Sequence, residues 1–182
     1  MVRKLKYHEK KLLKKVDFIS WEADNNLHEV EILRRFRIQK RSDYTKYNKL
    51  SRQIRELGEK IKELDADNPF RIEQSAMLLE KLYIMGLISH KSDLSLTQKV
   101  HASSFCRRRL PVIMVRNKMS ENIKLATQFI EQGHVRVGTE LIKDPAFLVT
   151  RNLEDFVTWV NTSAIKKHIM EYHDARDDYD MM

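Results

Sequence analysis

Between Arg107 and Gly138 the apolar residues change from helical to alternating spacing, and this switch constrains the fold more than any other feature. A helix is expected over roughly Ser104 to Lys118, burying Phe105, Leu110, Ile113 and Met114. Pro111 leaves its start open, because a proline either begins a helix or kinks its first turns. Ser120 suits the N-cap of a second helix and Glu121 its first turn, with Ile123, Ala126, Phe129 and Ile130 as the apolar stripe and Gly133 as the stop. Val135 and Val137 then alternate with His134 and Arg136, as in a half-buried strand. Gly138-Thr139 turns the chain, Glu140 to Ile142 returns, Asp144-Pro145 breaks it before Phe147 to Val149, and Asp155 to Trp159 offers a last strand. Such a unit buries its apolar faces and leaves arginine, lysine and histidine on one side. That suits a polyanion, RNA first.

Upstream, Tyr44, Tyr47, Leu50, Ile54, Leu57, Ile61 and Leu64 fall at steps of three and four and predict a helix from Asp43 to Leu64, capped by Ser42 or Asp43. Asp65 to Pro69 stops it. A second helix, Phe70 to Met85, would bury Ile72, Ala76, Leu79 and Tyr83 and end at Gly86, and the two would pack as an antiparallel pair. The tyrosines read as core rather than as stacking platforms. Ser89 to Lys99 reads as a connection. The fold class is α+β, a helical region packed with two helices and a small antiparallel sheet.

The charge is uneven. Lys and Arg number 34 against 26 Asp and Glu, a net +8, yet Glu171 to Met182 hold five acids and one arginine. A net −4 there leaves +12 on the other 170 residues, and such a body attracts phosphate backbones. Arg3, Lys4, Lys6, Lys10, Lys11, Lys14 and Lys15 crowd the first fifteen residues against one acid, Glu9. Leu5, Leu12, Leu13 and Val16 interleave, so part of this basic arm can become an amphipathic helix and contact RNA; a solvated tail is the alternative.

Other chemistry lacks its residues. The apolar fraction of 42% is enough for a core, no run approaches a membrane span, and no apolar region follows the basic N-terminus as a secretory signal would require. One cysteine, Cys106, excludes an internal disulfide. Its arginine neighbours would favour a thiolate, whereas a small buried apolar role is the usual one. The seven histidines form no metal-binding motif, and no glycine-rich nucleotide loop is present. Glu154 and Asp155 read as solvated or capping groups. No catalytic activity, cofactor, metal, membrane or small-molecule substrate is expected.

The helix–helix–hairpin order, with Gly133-His134-Val135-Arg136-Val137-Gly138 after the second helix, resembles the alpha-L, or S-four, RNA-binding domain. Asn68-Pro69-Phe70-Arg71 and the segment Leu78 to Leu87 are similar to the helical region of the eukaryotic small-subunit ribosomal protein that founds that family. The segments Met1 to Phe18, Cys106 to Met114 and Phe129 to Gly138 resemble more closely the ribosomal-protein-like subunits of the U-three small nucleolar ribonucleoprotein, part of the small-subunit processome.

That resemblance divides the chain into a basic arm and helical region (1–104), an alpha-L domain (105–165) and an acidic tail (166–182). It implies a nuclear, nucleolar subunit that binds U-three small nucleolar RNA and helps it pair with pre-rRNA, with a phosphoprotein scaffold and a sister RNA-binding subunit as partners. A structural small-subunit ribosomal protein that binds rRNA is the alternative. By position, Arg107, Arg108, Arg109, Arg116 and Lys118 would border the RNA groove, and Lys124, His134 and Arg136 would continue it. Consecutive helical residues diverge by about 100°, so one or two of Arg107 to Arg109 should point elsewhere. Many members carry bases near 123 and 127, where this chain has Ile123 and Thr127, and the usual Val-Asn-Gly turn is here Val137-Gly138-Thr139. These departures shift the expected contact toward the first helix and the N-terminal arm.

Overall fold

A computed structural model of the protein describes residues 3–13 and 27–174, and the chain divides into two units, residues 1–31 and 32–182. In the first unit the basic arm forms α1 (Tyr7–Leu13). Arg3 donates twice to the Glu9 carboxylate, at 3.1 and 2.7 Å, and the Lys6 amide adds a third bond at 2.8 Å. The Arg3 guanidinium, and after it the Lys6 amide, hold the Glu9 carboxyl below its ordinary range. Lys14, Lys15, Val16 and the end of the acidic tail lie outside the described residues.

The second unit opens in the C-terminal half of α2 (Leu27–Arg35), an element the sequence reading does not anticipate. Its end is a left-handed turn: the Ile38 amide reaches back to the Leu33 carbonyl at 2.9 Å, with Arg37 at φ +46°. Phe36 and Ile38 are buried on either side of it.

The paired helices are α3 (Arg41–Glu63) and α4 (Pro69–Ile84). Asn68 and Pro69, read from sequence only as the stop of the preceding helix, also start α4: Asn68 caps it by accepting from the Phe70 amide at 3.0 Å, and Pro69 opens its first turn. The start of α3 differs, since Lys40 holds the N-cap position without a side-chain bond and Asp43 lies inside the first turn. Its buried face is also rotated. Tyr47, Ser51, Gly58 and Ile61 are inside, whereas Leu50 and Leu57 are 44% and 47% exposed. In α4, likewise, Leu79 and Leu82 are buried while Ile72 and Ala76 stand exposed.

Small residues win the inner face of α3 because α5 (Ser95–Gln98) and α6 (Ala102–Cys106) press against it. The single turn of α5 lies in the stretch read as a plain connection. It presents Thr97, fully buried, to Gly58, where an added Cβ would stand 2.2 Å from the Thr97 hydroxyl.

The expected helix from Ser104 to Lys118 is broken. Following α6, the chain turns through Arg107 to Arg109 and restarts as α7 (Leu110–Arg116), with Pro111 in its first turn. The fixed φ of proline suits that position, which resolves its ambiguity. At the far end the Met119 amide bonds the Met114 carbonyl at 2.9 Å and Lys118 takes a left-handed φ of +57°. The second helix, α8 (Ile123–Glu131), starts later than expected: Asn122, not Ser120, sits at its N-cap, and Glu121 precedes the helix.

The sheet has three short antiparallel strands in the order β2–β1–β3, where β1 is Val135–Val137, β2 is Glu140–Leu141 and β3 is Val157–Trp159. Arg136 faces Leu141 on one side and Thr158 on the other. Between the last two strands runs α9 (Arg151–Glu154), and α10 (Ala164–Tyr172), capped by Ser163, follows the sheet. Neither helix is anticipated from sequence. The architecture is α+β, as expected.

Two apolar clusters result. One runs from Ile32 to Cys106 and includes Phe36, Tyr47, Leu82, Val100 and Phe105. The other runs from Leu110 to Val157 and includes Ile113, Met114, Ile130 and Val135. The residues between them are Arg107 to Arg109.

Glycine in a helix interior ordinarily costs about 1 kcal/mol relative to alanine. Here contact with Thr97 reverses the sign: Gly58→Ala should lower stability by about 1–3 kcal/mol in chemical denaturation. Adding Thr97→Ala should restore part of that loss; a stabilised single variant would remove the packing argument.

Candidate nucleic-acid interface

The arginine triplet separates into two roles. Arg107 is exposed, whereas Arg108 and Arg109 are 6% and 2% exposed and turn into the protein. Arg108 donates from Nε and Nη2 to the Val149 carbonyl at 2.9 and 2.7 Å and from Nη1 to Glu154 at 3.0 Å. Its backbone carbonyl accepts from the Val149 amide at 2.8 Å. Arg109 lies 3.5 Å from Asp43 and 3.4 Å from the Tyr47 hydroxyl, and its backbone bridges to Leu148. Arg108 and Arg109 are therefore structural groups, a correction to their expected place at the RNA groove. Burial, and after it Arg151, lowers the Arg108 pKa. An added Cβ at Gly86, whose φ is +73°, would stand 2.8 Å from the same guanidinium.

Glu154, expected to be solvated or capping, is half-buried and accepts from both Arg108 and Arg116. Arg116 keeps about half of its side chain exposed, at 51%, so it remains at the surface. Arg151 is a structural group missed in the sequence. It donates to the Ile88 carbonyl at 2.8 Å and stacks its guanidinium 4.3 Å from the Tyr83 ring centre.

Lys118 and Lys124 are exposed at the C-terminal end of α7 and in the first turn of α8, two helices that pack on one another. On β1, Val135 and Val137 fill the core, so His134 and Arg136 occupy the other face. Both are engaged: His134 Nδ1 shares a hydrogen bond with the Ser163 hydroxyl at 2.9 Å, and Arg136 Nε donates to Thr158 at 3.0 Å. Thr127 is 3% exposed and its hydroxyl bonds the Ile123 carbonyl at 2.7 Å, which leaves nothing there for a ligand. The surface cations are thus Arg107, Arg116, Lys118 and Lys124, with Arg136 half-buried on the sheet and His134 beside it. In the first unit Arg3, Lys4, Lys6, Lys10 and Lys11 are exposed along the arm.

Cys106 is fully buried, and that burial pushes its thiol up to about 11 against the opposing pull of Arg109 and Arg107. Cys106 thus takes the small buried apolar role that is usual for a cysteine, not that of a thiolate. Tyr47 stacks flat on Phe105 at 5.6 Å, a core tyrosine as read from sequence.

The second unit thus combines a buried acid-and-guanidinium seam, an outer rim of cations, and a helix pair backed by a three-stranded sheet. Residues 4–107 match the ribosomal protein S4/S9 N-terminal domain family, and residues 108–155 match the S4 domain family. Over 182 residues, all of this chain and 99% of the relative, it is 56% identical to the U3 small nucleolar ribonucleoprotein protein IMP3 of Mus musculus. The Saccharomyces cerevisiae protein of that name is 54% identical over 99% of both chains. The chain belongs to the IMP3 family. The small ribosomal subunit protein uS4 of Caldivirga maquilingensis is more distant, 28% identical over 81% of each chain.

Removing the Glu154 charge leaves the Arg108 guanidinium buried without its counter-ion. Glu154→Gln should therefore cost about 2 kcal/mol, read as a lower urea midpoint at unchanged slope. A midpoint equal to wild type would mean that the Val149 carbonyl alone holds Arg108.

Proposed function

We propose that the chain is a non-catalytic RNA-binding subunit of the U3 small nucleolar ribonucleoprotein. In this role it holds U-three small nucleolar RNA and promotes its pairing with pre-rRNA in the small-subunit processome of the nucleolus. The observation that carries the reading is identity of 54–56% along essentially the whole chain to relatives named for that particle. The distant similarity to uS4 accords with a shared RNA-binding scaffold.

The exposed cations supply a physical route. Arg107, Arg116, Lys118, Lys124, His134 and Arg136 act as the RNA-facing groups of the second unit, and Arg3, Lys4, Lys6, Lys10 and Lys11 as those of the arm. Two RNA strands repel one another, and a surface that releases counterions from both lowers the barrier to their pairing. Arginine adds a planar fork for phosphate and stacks on unpaired bases. A phosphoprotein scaffold and a sister RNA-binding subunit complete the set of partners in this reading.

Arg107→Glu with Lys118→Glu should weaken RNA binding in a filter assay by on the order of tenfold at about 0.1 M salt, while the circular dichroism spectrum stays unchanged. Wild-type affinity in that double variant would defeat the assignment of this rim. In sucrose gradients the protein should migrate with a large precursor particle. Co-migration with mature small subunits would favour the structural ribosomal role.

A further inference from the structure

A groove of about 670 Å³ runs between the C-terminal end of α2 and the first turn of α8. Arg34, Arg35 and Arg37 line it from one side and Lys124 from the other, with Glu121 the acid at its margin and Leu125 in its wall. All four cations are exposed, and none forms an ion pair with an acid among the described residues. The Arg35 guanidinium lies 5.7 Å from the ring centre of Phe36, a buried residue that fixes the end of α2.

The dipole of α2 accounts for basic residues in its last turn. It does not account for Arg37, which lies past the helix in the left-handed conformation where glycine is usual. Such a residue is strained unless its surroundings hold it, and here Phe36 and Ile38 are buried on both sides. Nor does the dipole explain why Lys124, from another helix far along the chain, lines the same groove. Four unpaired cations facing each other across a trench repel one another, an arrangement suited to a polyanion.

We propose that this groove binds the phosphate backbone of an RNA strand through Arg34, Arg35, Arg37 and Lys124. The inference rests on the RNA-binding reading and extends it to the end of α2. Arginine forks suit phosphate oxygens, and three of the four cations are arginines. The groove also shares Lys124 with the cation rim, so one strand can pass from the rim into it.

The test compares wild type with Arg34→Gln/Arg35→Gln/Arg37→Gln and with the corresponding triple lysine variant, titrating a single-stranded oligouridylate at several salt concentrations. Three lost phosphate contacts at about 0.7 each should flatten the log–log salt slope by about 2 and weaken binding by on the order of tenfold. The lysine variant keeps the charge and should keep most of the slope. A glutamine variant with wild-type slope and affinity overturns the groove and leaves the RNA-binding reading standing. A wild-type chain that binds no oligouridylate overturns both. A glutamine variant that keeps RNA but loses a polyglutamate peptide overturns the proposal in favour of an acidic protein partner.

Discussion

Two guanidinium groups lie where the two apolar clusters meet, and much of the structure is arranged to satisfy them. Desolvating a guanidinium is costly, and the cost is met only where several acceptors converge. Arg108 obtains the Val149 carbonyl and Glu154, while Arg109 obtains Asp43 and Tyr47 through Nη1 and leaves its buried Nε without a partner. These acceptors belong to opposite sides of the boundary, α3 for Arg109 and the α9 region for Arg108. The backbones of the same two residues pair with Leu148 and Val149, so the segment before α9 is tied at both side-chain and main-chain level.

That seam also sorts the basic residues. Arg108, bonded to the Val149 carbonyl and Glu154, is removed from the surface, whereas Arg107, Lys118 and Lys124 stay outside and form no ion pair among the described residues. Arg116 is intermediate, bonded to Glu154 yet about half exposed, so it joins the seam to the rim. The division explains how consecutive identical residues serve unlike ends.

The switch from helical to alternating period was legible because it is local: Ile113, Met114, Ala126, Ile130, Val135 and Val137 are all buried as their spacing requires. The burial of Arg108 was not legible, since its carboxylate partner lies 46 residues away. The same limit hid the rotated face of α3, where Ser51 and Gly58 displace Leu50 and Leu57 because another segment approaches there. Helix starts slipped by two or three positions, since Lys40 takes the N-cap place expected of Ser42 or Asp43, and Asn122, an equally good capping residue, takes the one expected of Ser120. The groove beside α2 depends on juxtaposing Arg37 with Lys124, which no window of sequence contains.

Arg37 and Lys118 end two different helices in the same left-handed turn, each a charged residue where glycine would relieve about 1 kcal/mol of backbone strain. Heat tolerance alone would favour glycine at both positions, and the polyanion contact proposed for each would favour the charge. Among homologues drawn from hot and cool habitats, these two sites are where the opposing pressures should leave a visible record.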